Sequence, residues 1–195
     1  MAEKTTGKKW KGKTWFTVLA PEIFKDRELC EIPAADPKYI KGRKIIMGLE
    51  ELTGDYKKFS RFPATMSLKI SDVKDGKAKT IFGGFEVSND FIFRVTRKRT
   101  EKVTLTETYK TTDKWVIQIS GLVVLNRNVY ASVQRSVRKM LKEKLNEFIT
   151  KNTMDDVLKD LLNRVTTNKI RKDINKVYPA RITEITKIEV VSHPE

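Results

Sequence analysis

The feature that most constrains the fold is the segment 129–149, VYASVQRSVRKMLKEKLNEFI. Its apolar residues recur at three- and four-residue spacings, which predicts an amphipathic helix. The expected apolar stripe consists of Tyr130, Val133, Val137, Met140, Leu141, Leu145 and Phe148. A second stripe at the same spacing, here named the basic stripe, consists of Arg135, Arg138, Lys139 and Lys142. Such a helix needs a second layer over its apolar side, while its cations can contact a phosphate backbone.

The segments before this helix are rich in β-branched and aromatic residues, which favours strands. The predicted strands cover 14–20, 45–49, 64–73, 79–87, 90–99, 102–110 and 115–125. Prolines and a glycine predict irregular structure over 30–44. Asp75–Gly76 favours a hairpin turn, because both residues can adopt positive φ. Gly83–Gly84 predicts a bulge or a sharp bend inside a strand.

Helical signals dominate after residue 125. Asn126 or Asn128 is expected to cap the long helix, and Thr153 is expected to cap a second helix. A third helix is predicted over 168–178, where Ile170, Ile174 and Val177 share one face. Pro179 then ends it.

The last segment, 181–191, alternates as a closing strand with a change of phase near Thr186. This order predicts an α+β fold. We expect a curved, partly closed, antiparallel-rich β-sheet or barrel of about seven strands, with two or three helices near the C-terminal end. The expected organisation is a flexible basic arm, 1–13, and one domain, 14–195. That domain is β-rich over 14–125, helical over 126–178 and completed by the closing strand.

The net charge of the chain indicates which class of molecule it binds. The chain carries 40 Lys and Arg against 25 Asp and Glu, a formal net charge of +15. Such a field attracts polyanions, usually nucleic acid, with an anionic membrane surface as the lesser alternative. The excess is concentrated, since residues 1–13 have five lysines against one Glu and residues 127–151 have seven cations against two. No apolar run is long enough to predict a membrane span.

Residues that carry chemistry are scarce. His193 is the only histidine and Cys30 the only cysteine, which argues against histidine-based triads and Cys/His zinc sites. The adjacent carboxylates of Glu50–Glu51 and Asp155–Asp156 point to different sides of a helix, so neither pair forms an acid/base couple. We expect no enzymatic activity, no metal and no cofactor.

The basic features predict a nucleic-acid interface. Lysines can pair with phosphates, and the interleaved Trp10 and Trp15 can stack on bases. The alternatives are a solubilising tail for the arm, a solvated tip for Arg97–Arg99, and a solvated face or a protein contact for the basic stripe. No RNP1-like string, KH-type GxxG or zinc finger is present, which favours contacts to backbone and shape. The predicted RNA-binding residues are Lys8, Lys9, Lys11, Lys13, Arg97, Lys98, Arg99, Arg127, Arg135, Arg138, Lys139 and Lys142.

Several blocks of the sequence match a known family. They are KKW to AP over 8–21, KGRKIIMGLEEL, WVIQISGLVVLNRN, NVYASVQRSVRKMLKEKL and KIRKDINKVYPARITEITKIEVV. The chain resembles the archaeal and eukaryotic small-subunit ribosomal protein family S3Ae, also named eS1. It lacks the longer basic N-terminal extension and the C-terminal tail of eukaryotic members, and it looks like the compact archaeal form.

The resemblance implies a structural constituent of the small ribosomal subunit in the cytoplasm. It implies a β-rich body with terminal helices on the platform, near the mRNA exit and the 3′ end of the rRNA. The implied partners are small-subunit rRNA, neighbouring platform proteins and mRNA near the exit channel, with no membrane. The family has no known enzymatic role or metal site. The alternatives are a free-standing RNA-binding regulatory protein and, less favoured, an enzyme acting on RNA.

Overall fold

A computed structural model describes residues 12–24, 27–59 and 62–193. The expectations for Lys8, Lys9, Lys11 and most of the arm fall outside these residues. The strands are β1 Thr14–Leu19, β2 Glu28–Ala34, β3 Lys44–Gly48, β4 Ala64–Lys74, β5 Lys77–Val87, β6 Glu101–Lys110, β7 Val116–Leu125 and β8 Ala180–Ser192. The helices are α1 Leu49–Thr53, α2 Tyr56–Phe59, α3 Asn89–Val95, α4 Ala131–Lys151, α5 Met154–Asn163 and α6 Val165–Ile174.

Strand pairing joins these strands into a mixed, mostly antiparallel sheet. Within the described ranges it has eight strands, and no pairing closes it into a barrel. The longest helices follow β7, and β8 comes after them. The α+β prediction, with helices towards the C-terminal end and a closing strand, is therefore confirmed.

The chain divides into two compact units, and the first consists of residues 1–45 and 68–81. In this unit β1 pairs antiparallel with β2 and parallel with the start of β5. Phe16, Val18, Ile40 and Ile70 lie in its buried core. Burial of these side chains against one another holds the strands together.

The prediction of irregular structure over 30–44 is wrong at its start, because β2 runs through it to Ala34. Pro33 lies within β2, opposite Trp15. β2 is an edge strand, where a residue without an N–H donor leaves no ladder bond unmade on its open side. The proline was therefore compatible with a strand. The short helix α1 was also missed, since a strand was expected to reach Leu49.

The hairpin turn between β4 and β5 is confirmed. Asp75 and Gly76 adopt φ values of 50° and 76°, the left-handed pair that suits a two-residue hairpin loop. Further along β5, a Cβ on Gly84 would lie 2.9 Å from the backbone oxygen of Ile188. Close approach of two backbones explains this glycine.

The second unit consists of residues 46–67 and 82–195. Here β8 lies between the end of β5 and β7, and β6 pairs with the other side of β7. The register between β7 and β8 shifts at Thr186, because Ser120 faces Lys187 while Gly121 faces Ile185. The Thr186 hydroxyl donates to the Ser120 carbonyl at 3.0 Å. This bulge confirms the predicted change of phase.

The strand predicted over 90–99 is wrong, because its first half forms helix α3. The Ser88 hydroxyl accepts a hydrogen bond from the Asp90 backbone N–H at 3.3 Å, and Asp90 lies in the first turn. Phe91 and Val95, four residues apart, are both buried. This N-cap and the i, i+4 burial outweigh the strand preference of the aromatic residues.

Helix α4 confirms the amphipathic prediction for 129–149, with three corrections. Its N-cap is Tyr130 and no side chain caps it, so the expected Asn126 or Asn128 cap is wrong. Tyr130 precedes the helix and is 86% exposed, although it was expected in the core. Ile149 is buried, although it was not among the expected core residues. The other buried side chains are Val137, Leu141 and Leu145.

The two following helices agree more closely with the sequence. The Thr153 hydroxyl caps α5 by accepting from the Asp156 N–H at 3.3 Å, as predicted. Helix α6 begins and ends earlier than the predicted 168–178. Ile170 and Ile174 are buried in it, but Val177 lies beyond its end and is exposed.

Candidate nucleic-acid interface

Helix α4 runs alongside the edge strand β6 in the second unit. The Arg138 Nε donates to the Thr104 carbonyl at 3.2 Å. One turn later, the Lys142 Nζ lies 2.7 Å from Glu107 Oε1. The later residue of α4 contacts the later residue of β6, so the helix and the strand run in the same direction.

The apolar side of α4 fixes which way the basic stripe faces. Leu141 and Leu145 pack over Gly121 of β7, where a Cβ would lie 3.2 Å from Leu141 Cδ2. A larger residue at position 121 would push the helix away from the sheet. With this side buried, Arg135, Arg138, Lys139 and Lys142 are all exposed.

The members of the basic stripe are not equivalent. Arg138 and Lys142 each contact β6, which holds their long side chains in place. The side chains of Arg135 and Lys139 form no hydrogen bond or ion pair with any residue that the structure describes. These two cations are therefore available to an external anion without breaking a contact within the protein.

The connection from α3 to β6 carries the next group of predicted cations. Its turn is closed by Thr100, whose hydroxyl donates to the Arg97 carbonyl at 2.6 Å and accepts from the Arg97 N–H at 3.1 Å. Arg99 adopts φ 66°. Arg97, Lys98 and Arg99 are all exposed, so a fixed turn presents three cations.

Strand register brings this turn and Arg127 to the same end of the sheet. Glu101, the first residue of β6, faces Leu125, the last residue of β7. Arg99 lies two residues before that pair and Arg127 two residues after it. Because α4 begins shortly after Arg127, the basic stripe continues from the same end. We name the set the basic track: Arg97, Lys98, Arg99, Arg127, Arg135, Arg138, Lys139 and Lys142.

Lys13 belongs to the first unit. It directly precedes β1 and is exposed. The sequence grouped it with Lys8, Lys9 and Lys11, which lie outside the described residues. Its role in RNA binding stays a prediction.

Sequence reasoning missed Tyr130 as a surface residue. The helical period placed it in the core, because the period was extended one residue too far towards the N-terminus. The signal that could have found it is the polar run Asn126–Asn128 directly before it, which indicates a connection at the surface.

Other reactive groups give no sign of a catalytic centre in the described ranges. Cys30 is half-buried, and burial raises the pKa of its thiol above the usual value. The His193 ring contacts that of Trp115, with 4.7 Å between centroids. Within the described residues, no group of three or more His, Cys, Asp or Glu side chains is placed to hold a metal. No described helix is both long and apolar enough to cross a membrane.

Comparison with known proteins points to one family. The model of the Ribosomal S3Ae family matches residues 1–194. A relative from Methanobrevibacter smithii is 29% identical over 94% of this chain and 93% of its own. One from Saccharolobus islandicus is 30% identical over 96% and 88%, and one from Sulfurisphaera tokodaii is 30% identical over the full length of both chains. Each is named small ribosomal subunit protein eS1. This chain therefore belongs to the ribosomal S3Ae family.

Proposed function

We propose that this protein is a structural constituent of the small ribosomal subunit that binds the rRNA backbone. It sits on the platform near the mRNA exit and the 3′ end of the rRNA, and it supports translation in the cytoplasm. Its other partners are neighbouring platform proteins and mRNA near the exit channel. Family membership and the names of the relatives support the ribosomal role, and the basic track carries the assignment of RNA binding.

The track suits a phosphate backbone better than base edges. Arg135 and Lys139 are four residues apart, so their Cβ atoms lie about 6 Å apart on one face of α4. Phosphate contacts position a protein on RNA and need cations at regular intervals, whereas base reading needs polar side chains aimed into a groove or at unpaired bases. The four-residue spacing of these two exposed cations therefore favours backbone contact.

Contacts with β6 distinguish two members of the basic stripe from the other two. Arg138 and Lys142 already donate to Thr104 and Glu107, so a phosphate group would have to share or replace these contacts. Glu107 also lowers the local positive charge near Lys142. Arg135 and Lys139 should therefore contribute most of the phosphate contact made by the stripe.

The experiment compares two charge-matched double variants. Arg135→Gln/Lys139→Gln removes two cations from the stripe, and Lys169→Gln/Lys172→Gln removes two exposed cations from α6. Affinity for small-subunit rRNA is measured across a salt series. We expect the stripe variant to lower the magnitude of the slope of log K against log salt by about two, and the α6 variant to leave it nearly unchanged. Equal slopes for both variants would show that the stripe is only a solvated face.

Placement in the ribosome is tested separately by sedimentation of gently lysed cells. The protein should co-sediment with particles of small-subunit size and should be released only at high salt. Recovery in the free fraction at low salt would instead support a free-standing RNA-binding regulator.

A further inference from the structure

Tyr130 is the most exposed of the large hydrophobic side chains that the structure describes, at 86%. It is the N-cap of α4 but forms no capping bond through its side chain. The phenol ring therefore has no structural task in the isolated protein, although it exposes a flat apolar surface to water.

The backbone beneath this ring is held firmly. The Tyr130 carbonyl accepts hydrogen bonds from the N–H groups of Val133 at 3.0 Å and Gln134 at 3.2 Å. The Gln134 side-chain amide donates to the Val129 carbonyl at 3.4 Å. The Asn126 N–H donates to the Pro179 carbonyl at 3.2 Å. The ring is thus presented from a fixed position, which lowers the entropy lost on binding.

Exposed arginines precede and follow Tyr130 along the chain. Arg127 is exposed three residues before it, and Arg135 is exposed on the following turn of α4. No acidic residue lies in the first turn of the helix. An approaching phosphate group would therefore be attracted to this end of α4.

The side chains next to Tyr130 favour an RNA partner over a protein partner. Val129 is half-buried, and Ala131 and Ser132 are small. A protein groove would be expected to cover a wider apolar patch, whereas a single ring between cations matches one nucleobase with its flanking phosphates.

We propose that Tyr130 stacks on an unpaired base of the bound RNA while Arg127 and Arg135 contact the adjacent phosphates. The proposal rests on the proposed rRNA binding and adds to it a site for a single-stranded nucleotide. A paired duplex does not offer an exposed base face along its length, so the site would direct this end of the track to a loop, bulge or strand end.

The test uses the full chain and three substitutions. Tyr130→Ala removes the ring, Tyr130→Phe keeps it, and Phe93→Ala removes another exposed aromatic ring, 73% exposed on α3. The probes are small-subunit rRNA, single-stranded poly(A) and a poly(A)·poly(U) duplex. Tyr130→Ala should lower affinity for rRNA and for poly(A) about tenfold, with the duplex affinity and the salt slope unchanged. Tyr130→Phe and Phe93→Ala should stay within about twofold of the wild type.

The outcomes separate this inference from the function on which it rests. Wild-type protein that binds none of the probes would contradict the proposed function itself. If Tyr130→Ala binds rRNA as tightly as the wild-type protein does, the stacking site is overturned but the proposed function is not. Unchanged RNA affinity together with poorer incorporation into small subunits would assign Tyr130 to a protein contact and also overturn the inference.

Discussion

Arg164 and Glu184 form a salt bridge in which only 6% of the Glu184 side chain is exposed. Arg164 lies between α5 and α6 with φ 58°, and its guanidinium carbon is 4.6 Å from the centroid of the Phe62 ring. Burial lowers the pKa of this guanidinium from its usual value. One side chain therefore joins the two helices to β8 and to Phe62, two residues before β4, within the second unit.

Removing this arginine should destabilise the protein strongly. Arg164→Ala leaves the buried Glu184 carboxylate without a counterion, and we expect it to lower the free energy of unfolding by about 3 kcal/mol. Urea denaturation followed by circular dichroism gives this value. Lys144→Ala is the control, because the pair that Lys144 forms with Glu147 at 3.1 Å is exposed; it should change stability far less. The double variant Arg164→Leu/Glu184→Leu should regain part of the loss, and its failure to do so would mean that the pair has a further role.

The buried side of α4 can be tested against its exposed side. Leu141 is 1% exposed, so Leu141→Asp places an unpaired charge in the core and should cost more than about 4 kcal/mol. Lys139→Asp, two residues away and exposed, should fold normally. Circular dichroism and size-exclusion chromatography distinguish the two results. A folded, monomeric Leu141→Asp protein would show that this face of α4 is not a core face.

Gly84 should tolerate no side chain. Gly84→Ala would push a methyl group into the Ile188 carbonyl and weaken the pairing of β5 with β8, at a cost of about 2 kcal/mol. Gly48→Ala is the matched control, because the nearest atom to its Cβ is the flexible Glu50 side chain at 3.4 Å and its φ is −67°. Thermal unfolding should separate the two variants by several degrees. Equal melting temperatures would mean that β5 and β8 can move apart without cost.

Tyr109 should make stability depend on pH at the alkaline end. Burial, helped by the charge of Glu107, raises the pKa of its phenol from 10.0 to about 12. Because the folded-state pKa is the higher one, this contribution to stability is complete below pH 10 and is lost between pH 10 and about 12. Tyr109→Phe should remove this loss.

At neutral pH the same substitution should change the free energy of unfolding by less than about 1 kcal/mol. The Tyr109 hydroxyl is buried without a hydrogen-bond partner among the described residues, so no bond is lost. Urea denaturation at pH 8 and pH 11 checks both statements, with Tyr39→Phe at an exposed position as the control. A steeper alkaline loss in Tyr109→Phe than in the wild type would contradict the assignment.

Local sequence patterns predicted most elements of the fold, because period and turn chemistry act over a few residues. The Thr186 bulge and the Asp75–Gly76 turn were visible in this way. Several elements were not, among them the short helix α1, and β2 and α3 show the physical reasons. β2 depends on Pro33 lying at a sheet edge, which only the tertiary pairing decides, and α3 depends on the Ser88 cap overriding the strand preference of its aromatic residues.

The sequence predicted which charged residues form the candidate site, but it did not predict which residues they contact. Spacing alone placed Arg135, Arg138, Lys139 and Lys142 on one face. The partners of Arg138 and Lys142 come from β6, 34 and 35 residues away in the chain. No local pattern encodes such pairs, so the distinction between anchored and available cations required the structure. The position of Arg127 beside the Arg97–Arg99 turn likewise follows from strand register.

The central place of β8 has a consequence for biosynthesis. This strand follows every other strand in chain order, yet it lies between β5 and β7. Until residues 180–192 leave the translating ribosome, one edge of β7 has no partner and stays open to unwanted pairing. The helix that bears the basic stripe emerges earlier, so the cations most exposed to non-specific RNA contact appear before the sheet beneath them is complete. A nascent chain paused between residues 151 and 180 should be the species most in need of a chaperone.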